Sequence, residues 1–182
     1  WNIIHSWTLI DDDPFFTADD RRVIEEVLWG FSRYAAGRPY LDEDKMPLME
    51  PRQNHSTFLA LTLHGAYRYF TEKYGIKGLE EMEEKARRCF DLGQKWSYRP
   101  NDDAGGGYQV LAPSHYLSYA MRQGDESFLR SGRLARLVDL MVATTSNRRE
   151  PVEFGDTGSY SPYRPGRPQR AETRFYSMAA WY

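Results

Sequence analysis

Pro51-Arg52-Gln53-Asn54-His55-Ser56-Thr57-Phe58 is the stretch around which the chain is organised. An Asn-His pair stands there at the mouth of an apolar segment whose spacing predicts a helix from about Thr57 to Tyr74. Leu59, Leu63, Tyr67, Phe70 and Tyr74 fall on one stripe, with Phe58, Leu61 and Ala66 beside it. An apolar surface that wide implies burial between neighbouring helices, and Gly75 supplies the stop. Asn54 and His55 thus lie at a helix N-terminus, where unpaired N–H groups and the positive dipole end favour an anion. One hairpin further on, Gly105-Gly106-Gly107-Tyr108 can return a phenol to the same mouth. Amide, imidazole and phenol together suit acid–base chemistry on an anionic substrate.

The flanking segments repeat the pattern of helix, short turn, helix. Upstream, Trp1 to Asp13 is mixed, and Asp11-Asp12-Asp13 reads as a solvated turn, because no acidic ligands follow at calcium-loop spacing. Thr17 caps a helix through Asp20, and Val23, Ile24, Val27, Leu28, Phe31, Tyr34 and Ala35 recur at helical spacing until Gly37. Downstream, Gly78 to about Tyr98 forms a helix with acids early and bases later, which complements its dipole. A helix from about Pro113 to Gln123, a Gly124-Asp125 turn and a helix to about Thr145 follow. Ser146 to Arg170, rich in Gly, Pro, Arg and Tyr, reads as an ordered functional loop, and helical spacing resumes from Arg170 to Tyr182. No strand pattern stands out. The expectation is an all-α chain of stacked helical hairpins forming part of an (α/α) toroid, with residues 1–182 one domain.

The totals narrow the function. With 182 residues the chain can bury a real core, and its net charge of −2 gives no basic excess to neutralise nucleic-acid phosphates. No apolar run approaches membrane-spanning length. The single cysteine, Cys89, excludes an intramolecular disulfide and a cysteine-based zinc site, and its place on an apolar stripe predicts a buried thiol. The chain begins at Trp1 without a Met and stops within a helical pattern, so it reads as a segment of a longer protein. No cofactor is identifiable in it.

With Gln53-Asn54-His55-Ser56 and Gly106-Gly107-Tyr108 in hand, the chain resembles the heparinase II/III-like polysaccharide lyases, related to alginate and glucuronan lyases with an incomplete (α/α) toroid. In that group an Asn-His pair, or one of the two, opens an inner helix, and the catalytic Tyr follows at about this interval. Phe154-Gly155-Asp156 also looks like the family's toroid ending. The resemblance implies a missing C-terminal β-sheet domain that contributes a second catalytic His and, in some members, a structural metal. It implies a periplasmic or secreted enzyme acting on an anionic polysaccharide or oligosaccharide.

Cleaving a uronate by β-elimination requires neutralising the C6 carboxylate, removing the C5 proton and protonating the departing O4. Asn54 suits the first task, although its position equally suits a helix cap. His55 serves as base or carboxylate partner, and Tyr108 as acid to O4 and candidate base. Substrate contacts are expected from Arg52, Gln53, His115, Tyr116, Trp96, Tyr160 and Arg164, with Arg167 a further candidate. Packing or capping competes for each of them, and His64, mid-helix among apolar neighbours, reads as structural. Two other readings remain open at this stage. One is a glycoside hydrolase pairing Asp102 or Asp103 with Asp156; the other is a non-catalytic carbohydrate-binding helical domain.

Overall fold

A computed structural model describes residues 2–38, 41, 54–94 and 111–143, which are mostly helical, with no strand among them. The all-α expectation holds over these residues. In chain order the helices are α1 (Asn2–Thr8), α2 (Ala18–Ala36), α3 (Asn54–Tyr74), α4 (Glu80–Gln94), α5 (Leu111–Gln123), α6 (Ser127–Arg130) and α7 (Arg133–Ala143). The chain forms two compact units. One comprises Trp1–Pro51 and Phe58–Asp91, the other Arg52–Thr57 and Leu92–Tyr182. The first turn of α3 therefore belongs to the second unit and the remainder of that helix to the first.

In the first unit, α2 starts where its sequence dictates. The Thr17 side chain accepts from the Asp20 N–H at 3.1 Å, and the Asp20 carboxylate accepts from the Thr17 N–H at 2.9 Å. Only part of the apolar arc of α2 is covered: Leu28 and Ala35 are buried, while Val23, Val27, Phe31 and Tyr34 are exposed. α3 begins at Asn54, three residues before the expected start, and closes at Gly75, whose φ of 63° places it in the left-handed region. There the Gly75 N–H reaches the Thr71 carbonyl and the Ile76 N–H the Phe70 carbonyl. The buried face of α3 centres on Ala60, Leu61, Leu63 and Ala66, with Phe70; Tyr74, expected on the stripe, is exposed. Phe70 packs edge-on against Trp29 of α2, with ring centroids 5.1 Å apart.

α4 adds Met82, Ala86, Cys89 and Phe90 to this core. Burial pushes the Cys89 thiol up to about 12, which leaves it protonated and inert, as its place on the apolar stripe predicts. Glu80, Glu81 and Glu83 occupy the first turn of α4, with Lys85, Arg87 and Arg88 after them, as expected. Lys85 pairs with Glu81 at 2.8 Å and Arg87 with Glu84 and Asp91. His64, read as structural, is buried, and its Nδ1 lies 2.7 Å from Glu83 Oε2 across α3 and α4.

The stretch read as mixed, Trp1 to Asp13, contains α1, which buries Ile4 and Trp7. A polar cluster ties it down. Trp7 Nε1 donates to the Tyr69 hydroxyl at 2.9 Å, and that hydroxyl lies 2.9 Å from Asp11 Oδ2 and 2.7 Å from Glu25 Oε1. Tyr74 donates to the same Glu25 oxygen at 2.5 Å, and Lys73 bonds Asp11. Burial alone would raise the Asp11 carboxyl, but hydrogen bonds from Lys73 and Tyr69 and the ammonium charge outweigh it and hold the group below its ordinary value. For Lys73, burial pulls downward and Asp11 pulls upward more strongly, so the ammonium is raised. The Tyr69 phenol is driven far up by burial first, then by its two carboxylate neighbours.

In the second unit α5 runs from Leu111, with Pro113 in its first turn where no intrahelical N–H is needed. It closes on Gly124, at φ 64°, with Asp125 N–H to the Ala120 carbonyl and Gly124 N–H to that of Met121. The single helix expected after this turn is instead two. α6 and α7 are separated at Ser131-Gly132, because Gly132 adopts φ 70°, a conformation that interrupts a right-handed helix.

Candidate functional site

The first turn of α3 brings four different side chains to one place. Asn54 is buried, His55 is exposed, and Ser56 and Thr57 are fully buried. Asn54 is the first helical residue rather than a residue ahead of the helix, so its amide stands within the positive end of a 21-residue helix. Thr57 lies one turn on, and its hydroxyl donates to the Asn54 carbonyl at 3.1 Å. The same oxygen lies 2.7 Å from Nδ1 of His115 on α5. Thr57 is therefore the joint between the Asn-His turn and α5.

α5 itself is unusual in composition for its burial. Nine consecutive residues, Ala112 to Ala120, are buried, and they include Ser114, His115, Tyr116, Ser118 and Tyr119. A helix buried all round normally carries apolar side chains on every face. Keeping five polar ones there is costly unless they find partners. Ser114 donates to the Leu111 carbonyl at 3.0 Å, and His115 is held by Thr57. The Ser56 hydroxyl, enclosed in the same unit, has no hydrogen-bond partner among the described residues.

The structure thus unites Asn54, His55 and His115 in one unit, through a residue the sequence reading did not single out. His115 and Tyr116, expected as substrate contacts, are buried within α5. The remaining predicted residues, Arg52, Gln53, Trp96, Tyr108, Tyr160, Arg164 and Arg167, lie outside the described residues, as do Asp102, Asp103, Asp156 and the loop from Ser146 to Arg170. Thr57 had a signal of its own. It sits three residues after Asn54, hence on the same helix face, and is a small hydroxyl residue at the start of an apolar helix.

Among the described residues no group of three or more His, Cys, Asp or Glu side chains is placed to hold a metal ion. No described helix is long and apolar enough to cross a membrane. Comparison with family models, with curated proteins and with solved structures finds no match to this chain.

Proposed function

We propose that this chain is the helical part of a polysaccharide lyase that cleaves a uronic-acid-containing polymer by β-elimination on an (α/α) toroid. The observation that carries this reading is the placement of Asn54 and His55 in the first turn of α3. A carboxylate docked there meets backbone N–H groups, the positive dipole end and an amide donor together. As the C5 proton leaves, negative charge builds on the carboxylate and these donors bind it more tightly than in the ground state. His55, exposed beside Asn54, is free of enclosure and able to meet a polymer arriving from solvent. Tyr108 supplies the phenol that protonates O4 in this scheme.

The test is product chemistry. Full-length protein incubated with uronate polysaccharides should yield an unsaturated end that absorbs in the ultraviolet. Tyr108→Phe should lower turnover by roughly 100- to 10,000-fold with modest change in KM, the range of general acid–base groups. Asn54→Ala should depress kcat as well. New reducing ends without ultraviolet absorption would instead favour hydrolysis through Asp156, and oligosaccharide binding without turnover would favour a binding domain.

A further inference from the structure

α2 is apolar on two opposite sides. One side carries Leu28 and Ala35 into the core of the first unit. The other carries Val23, Val27, Phe31 and Tyr34, which follow one another at helical spacing and stand 45–65% exposed. Gly30 lies within this row, also exposed, and a Cβ built on it meets nothing within 4 Å. It leaves a notch in which a side chain of a facing helix finds room. A helix apolar on both sides has the pattern of a helix covered on both.

The charges along the row say what covers it. Asp20 and Arg38 lie along one edge, Glu26 and Arg33 along the other, so on each edge the acid is nearer the N-terminus and the base nearer the C-terminus. The Arg38 guanidinium is held to the row, 5.2 Å from the centre of the Tyr34 ring. A parallel copy of α2 would set Asp20 against Asp20 and Arg38 against Arg38. An antiparallel copy, turned about a two-fold axis at the level of Trp29, sets Asp20 opposite Arg38 and Glu26 beside Arg33, twice each. The same rotation places Val27 opposite Phe31 and Val23 beside Tyr34. One axis therefore matches the apolar residues and both charged edges together. We propose that α2 is a dimerisation helix, on whose exposed row the α2 of a second copy of this chain packs antiparallel.

The expected strength follows from size. α2 has 19 residues and spans about 28 Å at ~1.5 Å per residue. One helix from each subunit makes an interface at the low end of the usual range, which suits a reversible dimer with a Kd on the order of micromolar. The edge charges, exposed to solvent, set orientation more than affinity. The dimer makes no use of Asn54 or His55, so its test is independent of any activity.

Sedimentation equilibrium of the full-length protein should show monomer and dimer interconverting. Val27→Glu places an unpaired charge at the centre of the row and should weaken the dimer by roughly 100-fold or more. Because Val27 is exposed in the single chain, helicity and Tm should stay as they are. Glu26→Arg and Arg33→Glu should each weaken the dimer by roughly 5- to 30-fold, and the two together should restore it. Cysteine cross-linking reads the direction of pairing. Gly30→Cys lies close to its own copy across the axis and should form a disulfide between subunits on oxidation. Val23→Cys should not, since the antiparallel arrangement separates the two copies by about 18 Å along the helix. A protein that is monomeric at every concentration overturns the proposal, as it would if this face met another part of its own chain or a different partner. A dimer that survives Val27→Glu, or a Val23→Cys that cross-links as readily as Gly30→Cys, overturns it too. If Val27→Glu does not fold, the paired charge exchange and the two cysteine variants decide.

Discussion

Tyr69 offers a single proton to two carboxylates while accepting one from an indole. A residue so placed is worth more than its ring. Tyr69→Phe keeps the packing against Phe70 but leaves the Trp7 N–H, Asp11 and Glu25 each short of a partner, and should cost about 1–3 kcal/mol in chemical denaturation. Asp11 extends the argument to pH. Its folded-state carboxyl is lowered, so its stabilisation is fully present above the ordinary 3.8 and is lost as pH falls below that through the folded value. Lys73 is raised, so its contribution is fully present below 10.5 and is lost as pH rises beyond it. The stability gap between wild type and Asp11→Asn should accordingly be widest near neutrality and narrow on strong acidification. A gap that does not depend on pH would show that the Asp11–Lys73 pair contributes nothing.

Individual helices were legible in the sequence where local chemistry sets them. Thr17 with Asp20 fixed the start of α2, and Gly75 and Gly124 marked the ends of α3 and α5. Thr17→Ala removes the hydroxyl that accepts from the Asp20 N–H while leaving the backbone bond from the Thr17 N–H to the Asp20 carboxylate, and should cost about 1 kcal/mol. The misses have physical causes. Among its described residues α1 buries Ile4 and Trp7, one turn apart, too few positions to establish a helical period. The split between α6 and α7 depends on Gly132, which an uninterrupted apolar period conceals. Nothing lies within 4 Å of a Cβ added at Gly132, so Gly132→Ala isolates the backbone term. It should destabilise by about 1–2 kcal/mol, the cost of a left-handed conformation for a residue with a side chain. Thermal unfolding of both variants is the check, and an unchanged Gly132→Ala would mean that the segment straightens into one helix.

For the whole molecule, composition and periodicity were enough for the helical class, because hydrophobic spacing near 3.6 residues is a property each segment carries alone. The site was legible only in part. Asn54 and His55 announce themselves as a polar pair opening an apolar helix, whereas the link from Thr57 to His115 joins positions 58 apart in the chain and leaves no local pattern. Surface properties follow from totals of the same kind. With a net charge of −2, an isoelectric point near 6.1 and an exposed row of Val23, Val27, Phe31 and Tyr34, the protein has little repulsion to offset apolar contact in mildly acidic solution. Light scattering should show association increasing towards pH 6 and receding above pH 8. Scattering that is flat across this range would show that the exposed row does not drive self-contact.

The anchoring of α1 also gives the molecule an optical handle. Trp7 is enclosed, hydrogen-bonded through its indole to a phenol and edge-on to Phe16 at 5.0 Å. An indole in so dry a setting fluoresces at shorter wavelength than one in water, and it shifts red when its surroundings open. Since the phenol it contacts is also bound to Asp11, the colour of Trp7 emission is wired to the charge on that carboxylate. Subtracting the spectrum of Trp7→Phe from that of the wild type isolates this signal from the other four tryptophans, a built-in lamp on the N-terminal anchor.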